Sequence, residues 1–419
     1  MTGGYGTANW PATNDHGDGH ANGGQKPIGV ALIGCGNIAR PHMAGWHRLV
    51  DAGQARIVAV CDNDPARAQE FAATYGAERA TADFEEAVRR PDVEGIDVCL
   101  PHHLHLPAIL AAARAGKHVL CEKPLVNSLD EAEQAIRACR EAGVVLMTAD
   151  RDRFEPHARA VKRILDLRLL GDVNLVLERH MLHKNVLVQA ASHNMGWKLG
   201  KSTSGGGALH RDGCYYIDTL LFWAGEVAHI TGAEFDRFLW NTEEIETTSH
   251  VLFRFKSGAI GVFEMVWCLQ GPHIREITIN GSEGYLTLKG AIGDDAVITV
   301  HSNKLERRVL GDERVVRAFE ECFFQRPDLA HPDRVGEALT LRVPYAAGFH
   351  AQEIEFLGAI REGREAESDG FDGARALEVV HGAYQSARER RAIDLPLKDW
   401  AALARIGGRG TRRVAVAAG

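Results

Sequence analysis

The sequence predicts a two-part fold, α/β followed by α+β: a Rossmann doubly wound parallel sheet, then an open-faced, mainly antiparallel β-sheet domain. Three observations predict it. Short, β-branched apolar runs alternate with Ala/Glu/Arg-rich helical stretches between residues 28 and 150, as in parallel strands covered on both faces. The first run ends in the glycine turn Gly34-Cys35-Gly36-Asn37-Ile38-Ala39, a dinucleotide-binding signature. After Gly171 the segments become longer and alternate, the pattern of a sheet with one covered face.

Taken in order, residues 1–27 are rich in Gly, Asn, Asp and His and are expected to form a disordered tail. Residues 28–150 are expected to form the dinucleotide-binding domain. Its strands are placed at Ile28–Ile33, Arg56–Cys61, Ile96–Leu100, His118–Cys121 and Val144–Thr148, with helices Leu106–Ala115 and Leu129–Ala142. Residues 151–406 are expected to form a substrate and oligomerisation domain. Its antiparallel sheet takes Val173–His180, Val227–Phe235, Thr248–Phe255, Ala259–Trp267, Arg275–Asn280 and Tyr285–Lys289. Lys256-Ser257-Gly258 and Asn280-Gly281-Ser282-Glu283-Gly284 carry the residues hairpins need. Phe349–Glu362 and Gly373–Arg390 read as helices, and residues 407–419 as a flexible tail.

Composition narrows the function. A net charge of −8 with no block of Lys or Arg argues against a nucleic-acid partner. No uncharged apolar stretch reaches the length of a signal peptide core or a membrane span, so neither is expected. Eight cysteines are scattered without CxxC pairs, which fits free thiols in a reducing cytoplasm. The uncovered sheet face points to a homo-oligomer, a dimer or tetramer.

The glycine turn is the clearest chemical signal. Gly34 permits the tight turn off the strand, Gly36 lets backbone approach a pyrophosphate, and Ala39 lets the helix pack closely. The amides around Asn37 and Ile38 then face the phosphates. Asp62 closes the second strand, where its carboxylate can accept both hydroxyls of an adenosine ribose and repel a 2′-phosphate. The capping role in Asp62-Asn63-Asp64-Pro65 falls to Asp64. The cofactor is therefore read as NAD rather than NADP. The neighbouring histidines 102, 103 and 105 lack a Cys or Glu at zinc-ligand spacing, so no metal is expected.

Over about residues 28–395 the sequence resembles the glucose-fructose oxidoreductase, inositol dehydrogenase and MocA family of nicotinamide-dependent sugar and cyclitol dehydrogenases. The resemblance rests on the glycine turn, on Pro101-His102-His103-Leu104-His105, on Ala115-Gly116-Lys117-His118-Val119 running into Glu122-Lys123-Pro124, on Gly205-Gly206-Gly207, and on Ala383-Tyr384-x-Ser386-Ala387. It implies that Lys123, with Glu122 before it, lies at the reactive end of the cofactor. It also implies that Pro101, His102 and His105 line the nicotinamide ribose, and that Trp197-Lys198 borders the active site. Between about Gly311 and Ala347 the chain is longer than the family pattern needs. Glu313–Phe324 there is helical in character, and such insertions form lids or subunit contacts.

One segment departs from the family. Its pattern Gly-Gly-Gly-x-x-x-Asp-x-Gly-x-His-x-x-Asp reads here Gly205-Gly206-Gly207-Ala208-Leu209-His210-Arg211-Asp212-Gly213-Cys214-Tyr215-Tyr216-Ile217-Asp218. Arg211 replaces the aspartate and Tyr215 the histidine. On an α-helix, positions 211, 215 and 218 share one face, which is expected to turn toward the cofactor crevice. Tyr215 is taken as acid/base partner of Lys123. A phenol is only about one part in a thousand ionised at neutral pH, so its activation calls on the charges of Lys123 and Arg211. Arg211 cannot act as a base and favours an acidic substrate. Asp212 can replace the lost carboxylate only if the helix is locally distorted, since one residue turns a side chain by about 100°. His210 and Asp218 complete the candidate substrate-binding set with Arg211, Asp212, Trp197 and Lys198.

These readings converge on a cytoplasmic NAD-dependent dehydrogenase acting on a secondary hydroxyl of a sugar, cyclitol or related polyol. Two alternatives are a redox-neutral lyase or glycosidase on tightly held NAD, and a non-catalytic NAD-binding protein motivated by Arg211.

Overall fold

A computed structural model describes residues 26–183, 196–237, 245–290, 295–304, 339–345 and 348–406. The first sheet is wholly parallel: β1 (Ile28–Ile33), β2 (Ala55–Cys61), β3 (Ala80–Thr81), β4 (Gly95–Val98), β5 (His118–Cys121) and β6 (Leu146–Thr148) lie in the order β3-β2-β1-β4-β5-β6. The five expected strands are all present. The two-residue β3 adds a sixth, too short to leave an apolar run in the sequence. All six β1 residues are buried, because helices cover both faces of the sheet.

The helices between these strands are α1 (Ala39–Asp51), α2 (Pro65–Tyr75), α3 (Phe84–Arg89), α4 (His105–Arg114) and α5 (Leu129–Ala142). Asp64 caps α2 through the amides of Ala66 and Arg67. Asp83 caps α3, and Ser128 with Glu131 forms a capping box on α5. By contrast α1 has no side-chain cap and no acidic residue in its first turn. Its amides are left for another acceptor.

After α6 (Pro156–Asp166) the second sheet begins. It contains β7 (Val173–His183), β8 (Val227–Asp236), β9 (Thr248–Phe255), β10 (Ile260–Leu269), β11 (Ile274–Gly281), β12 (Gly284–Lys289), β13 (Ala296–Ser302), β14 (Leu339–Val343) and β15 (Ile393–Asp394), in the order β14-β13-β12-β11-β7-β10-β9-β8-β15. The six expected strands are there, and β13, β14 and β15 extend the sheet. One pairing departs from the antiparallel expectation, since β7 and β10 run parallel. The helical segment between β7 and β8 carries the chain back before the β8-β9-β10 meander starts, so β10 lies beside β7 in the same direction. Alternation is regular in β9, where Val251, Phe253 and Phe255 are buried and His250, Leu252 and Arg254 are exposed.

The covered face packs on α7 (Cys214–Ala224), and α8 (Phe349–Glu362) and α9 (Gly370–Glu389) follow β14. A sequence division at residue 150 does not anticipate what these helices do. Phe356 and Leu357 of α8 join the core under β1 and α1, with the Phe356 ring edge-on to Trp46. In α9, Leu377 packs in the first domain's core, and Val379, Val380 and Ala383 pack in the second's. The expected helix Glu313–Phe324 and both tails lie outside the described residues.

Candidate active site

Four connections converge at the carboxyl ends of the parallel strands, where such sheets leave their crevice. The β1–α1 turn supplies the glycines. Gly34 has φ +97°, and a Cβ there would lie 2.4 Å from the Cys99 carbonyl oxygen, so a larger residue is excluded. A Cβ on Gly36 would meet nothing within 4 Å. Open space over Gly36 and the uncapped start of α1 fit a pyrophosphate. At the end of β2, the Asp62 Oδ2 accepts the Cys35 amide at 2.8 Å, and Oδ1 accepts the Asp64 amide and the Arg67 guanidinium. This holds the carboxylate against the glycine turn, where an adenosine ribose would lie.

The β5 loop brings Glu122 and Lys123. Glu122 Oε1 receives His42 Nε2 at 3.0 Å, and His42 Nδ1 lies 2.9 Å from Asp97 Oδ2, which also accepts Trp46 Nε1. Burial opposes charge on His42, but Asp97 outweighs it and holds the imidazole well above its ordinary pKa. Burial likewise opposes charge on Glu122, yet His42 and then Lys123 keep its carboxyl below the usual range. The helix that starts at the glycine turn is thereby fixed to the residue beside Lys123.

Lys123 Nζ donates to the Arg211 carbonyl at 2.9 Å and to Asp212 Oδ1 at 3.1 Å. Burial works to lower its pKa, but Asp212, Cys214 and Glu122 raise it above the lysine value. Asp212 Oδ2 accepts Trp267 Nε1 at 3.0 Å. Despite burial, Lys123 and Arg211 hold the Asp212 carboxyl below its ordinary range. The partner position beside Lys123 thus goes to Asp212. The distortion this requires is present, for Leu209–Gly213 forms a π-helical turn at the head of α7. A π-turn holds one more residue than an α-turn, which shifts the register by one position.

The same turn breaks the expected common face of 211, 215 and 218. That face assumes α-helical spacing throughout. The Arg211 guanidinium lies 4.3 Å over the Trp267 ring. The Tyr215 hydroxyl instead donates to Asp152 at 3.2 Å, while Lys123 Nζ faces the Tyr215 ring at 5.2 Å. Burial pushes this phenol well above its usual pKa, and Arg151 offsets only part of that. Asp218 is fully buried against Arg153. Burial lifts its carboxyl to about 6.

Of the remaining candidates, His102, Trp197 and Lys198 lie together beside this site, whereas His105, expected at the nicotinamide ribose, and His210 are fully buried beneath it. His102 Nδ1 donates to the Ser204 carbonyl at 2.9 Å, and its ring meets Trp197 edge-on at 4.8 Å. Lys198 Nζ lies 5.6 Å from the Trp197 ring centroid. Burial, then Arg211, lowers Lys198 to about 8. His105 is fully buried, with its nitrogens facing the carbonyls of Pro124 and Leu100, so it braces the β5 loop from beneath. His210 is pushed down to about 3 by burial and packs under the triple glycine. A Cβ on Gly205 would lie 2.2 Å from its Nε2. Pro101 caps the short 3-10 turn His102–Leu104.

Three residues here had no local signal in the sequence. Trp267 sits in an ordinary alternating strand. Glu246 accepts the Gly207 and Leu209 amides, both at 2.9 Å, and the Tyr384 hydroxyl at 2.7 Å, and so caps the π-turn from a distant loop. Asp152 anchors Tyr215 together with Arg275.

Comparison with known proteins agrees with the fold. A family model described as "Oxidoreductase family, NAD-binding Rossmann fold" matches residues 28–150, and one described as "GFO/IDH/MocA C-terminal domain" matches residues 158–287. The levoglucosan dehydrogenase of Pseudarthrobacter phenanthrenivorans is 25% identical over 406 residues, covering 88% of this chain and 98% of that protein. The inositol 2-dehydrogenase of Rhizobium meliloti is 28% identical over 378 residues, covering 88% and 99%. Among solved structures, the WlbA dehydrogenase from Bordetella pertussis, in complex with NADH and UDP-GlcNAcA, superposes with a TM-score of 0.74 at 23% identity, over 89% of this chain and 99% of that one.

Proposed function

The chain belongs to the GFO/IDH/MocA family of oxidoreductases, and from that premise we infer an NAD-dependent dehydrogenase that acts on a secondary hydroxyl of a sugar, cyclitol or related polyol. The observation that carries the proton chemistry is the Lys123–Asp212 pair at the end of β5, tied through Glu122 and His42 to the helix of the glycine turn. Bound NAD would supply the acceptor for the hydride of the carbinol carbon, so that the product is a ketone. The hydroxyl proton goes to the Lys123–Asp212 pair and then to water. In the reverse direction the Lys123 ammonium donates it. Asp62 would hold the adenosine ribose, and the Gly34–Ile38 turn the pyrophosphate.

The test is NADH formation across inositols, aldoses, glycosides, uronic acids and dihydrodiols, comparing wild type with Lys123→Ala, Asp212→Asn and Tyr215→Phe. Loss in the first two and a smaller effect in the third is expected. Full activity in Lys123→Ala or Asp212→Asn would refute the assignment of the pair. All seven described cysteines are free and six are buried, which supports a reducing, cytoplasmic setting. The exposed Leu177, Leu252, Ile260 and Tyr285 on the outer face of the second sheet support a homo-oligomer.

A further inference from the structure

The crevice around Lys123 holds two cations, Arg211 and Lys198, that its own described carboxylates do not contact. Lys123, Lys198 and Arg211 meet one wall of it. Asp212 already uses one oxygen on Lys123 and the other on Trp267 Nε1. Glu246 is taken up by the Gly207 and Leu209 amides and the Tyr384 hydroxyl. Glu122 is taken up by His42 and the Lys123 amide. Among the described residues, no carboxylate lies within ion-pair distance of Arg211 or Lys198. Arg211 is nonetheless buried, at 6% exposure. Its guanidinium lies 4.3 Å over the Trp267 ring and makes one long contact, Nη1 to the Lys198 carbonyl at 3.4 Å.

Burying the Arg211 guanidinium without a direct carboxylate partner costs free energy unless a ligand supplies one, and Lys198 stands half-buried beside it. A sugar hydroxyl would not neutralise them. A carboxylate would, because a guanidinium presents its N–H edge as a planar fork that matches a carboxylate's two oxygens. Arg211 and Asp212 are consecutive residues of the same π-turn. A substrate acid group on the first and a reacting hydroxyl at the second therefore belong to one small molecule.

We propose that the substrate is a polyhydroxylated carboxylic acid of the uronate or aldonate class, whose carboxylate is gripped by Arg211 and Lys198 while its hydroxyl meets Lys123 and Asp212. This rests on the dehydrogenase reading of the same site and adds the charge of the substrate to it. Arg211 and Lys198 are then specificity residues, which grip a group that does not itself react.

The experiment uses the full chain loaded with NADH, so that the cofactor's own phosphates are already in place. Binding of D-glucuronate and D-galacturonate is compared with D-glucose and D-galactose by tryptophan fluorescence, since Trp197 and Trp267 flank the subsite. The acids are expected to bind at least about tenfold more tightly than their neutral partners, with the preference reduced about tenfold or more in Arg211→Gln. Lys198→Gln, at a less buried position, is expected to reduce it as well and serves if Arg211→Gln fails to fold. Equal affinity for acid and neutral sugars, absent binding of the acids, or a preference untouched by both variants overturns the proposal. NADH formation on the same panel separates the two readings. Turnover without acid preference leaves the dehydrogenase and removes the acid subsite, whereas acid-selective binding with no turnover does the reverse.

Discussion

Lys123 keeps its proton in the resting protein because Asp212, Cys214 and Glu122 outweigh the burial that would remove it. Its first task is therefore to hold a substrate oxygen as an ammonium donor, with Asp212 ready to receive the proton. Lys123→Ala and Asp212→Asn should each lower kcat by about 10²- to 10⁴-fold, the usual worth of a positioned acid or base. Tyr215→Phe should lower it less, because its hydroxyl is spent on Asp152; steady-state kinetics distinguishes the cases. Lys198 behaves differently, since burial and Arg211 bring it down to about 8, with Asp212 and Glu122 opposing and Lys123 assisting. It is a cation below that pH and neutral above it. KM for an acidic substrate should accordingly rise as pH passes upward through about 8, and KM for a neutral sugar should not follow. A pH profile of kcat/KM on paired substrates checks this.

At the scale of elements, the π-turn before α7 decides which residue reaches Lys123, and Glu246 holds that turn. A Cβ on Gly207 would fall 1.9 Å from the Glu246 carbonyl oxygen, so the triple glycine and the Glu246 loop fit only as a pair. Glu246→Ala should cost about 2 kcal/mol by leaving buried amides unpaired, and it should lower kcat as well by loosening Asp212; thermal unfolding and kinetics together test it. The α1 helix is fixed in a comparable way by His42 between Asp97 and Glu122. Its folded-state pKa is raised, so the stability it contributes is full below the unfolded histidine value of about 6.5 and is lost as pH rises through the folded one. Removing one member of such a buried ion network costs about 3–5 kcal/mol. His42→Asn should show that loss at neutral pH and a flatter decline of stability at alkaline pH, measured by denaturant unfolding.

For the whole molecule, one face of the second sheet is covered and, among the described residues, the other exposes apolar side chains. Leu252, Val262 and Leu177 stand side by side across β9, β10 and β7, a row with apolar side chains turned outward. A second copy of the chain would bury it. Leu252→Glu or Leu177→Glu should shift the protein toward monomer in light scattering while leaving the fold's circular dichroism in place. Because α9 packs in the cores of both sheets, such a shift should not separate them.

Much of this was legible in the chain order. The runs Ile28–Ile33 and His118–Cys121 and the helices Leu129–Ala142 and Phe349–Glu362 have the same bounds in sequence and structure, because burial on a fixed period is a local property of the residues. The glycine turn and the Asp64 cap were equally readable, since each acts within a few residues of itself. The alternation in β13 was present too, with Ile298 and Val300 inward. By itself the sequence therefore determined the two sheets, the glycine turn between β1 and α1, and the lysine at the end of β5. Only the tertiary structure decided which carboxylate that lysine meets. Asp212 rather than Tyr215 stands there because a π-turn, capped by Glu246 from a loop far along the chain, moves the helix by one residue. The energy of that cap belongs to contacts between distant segments, and no local period records it.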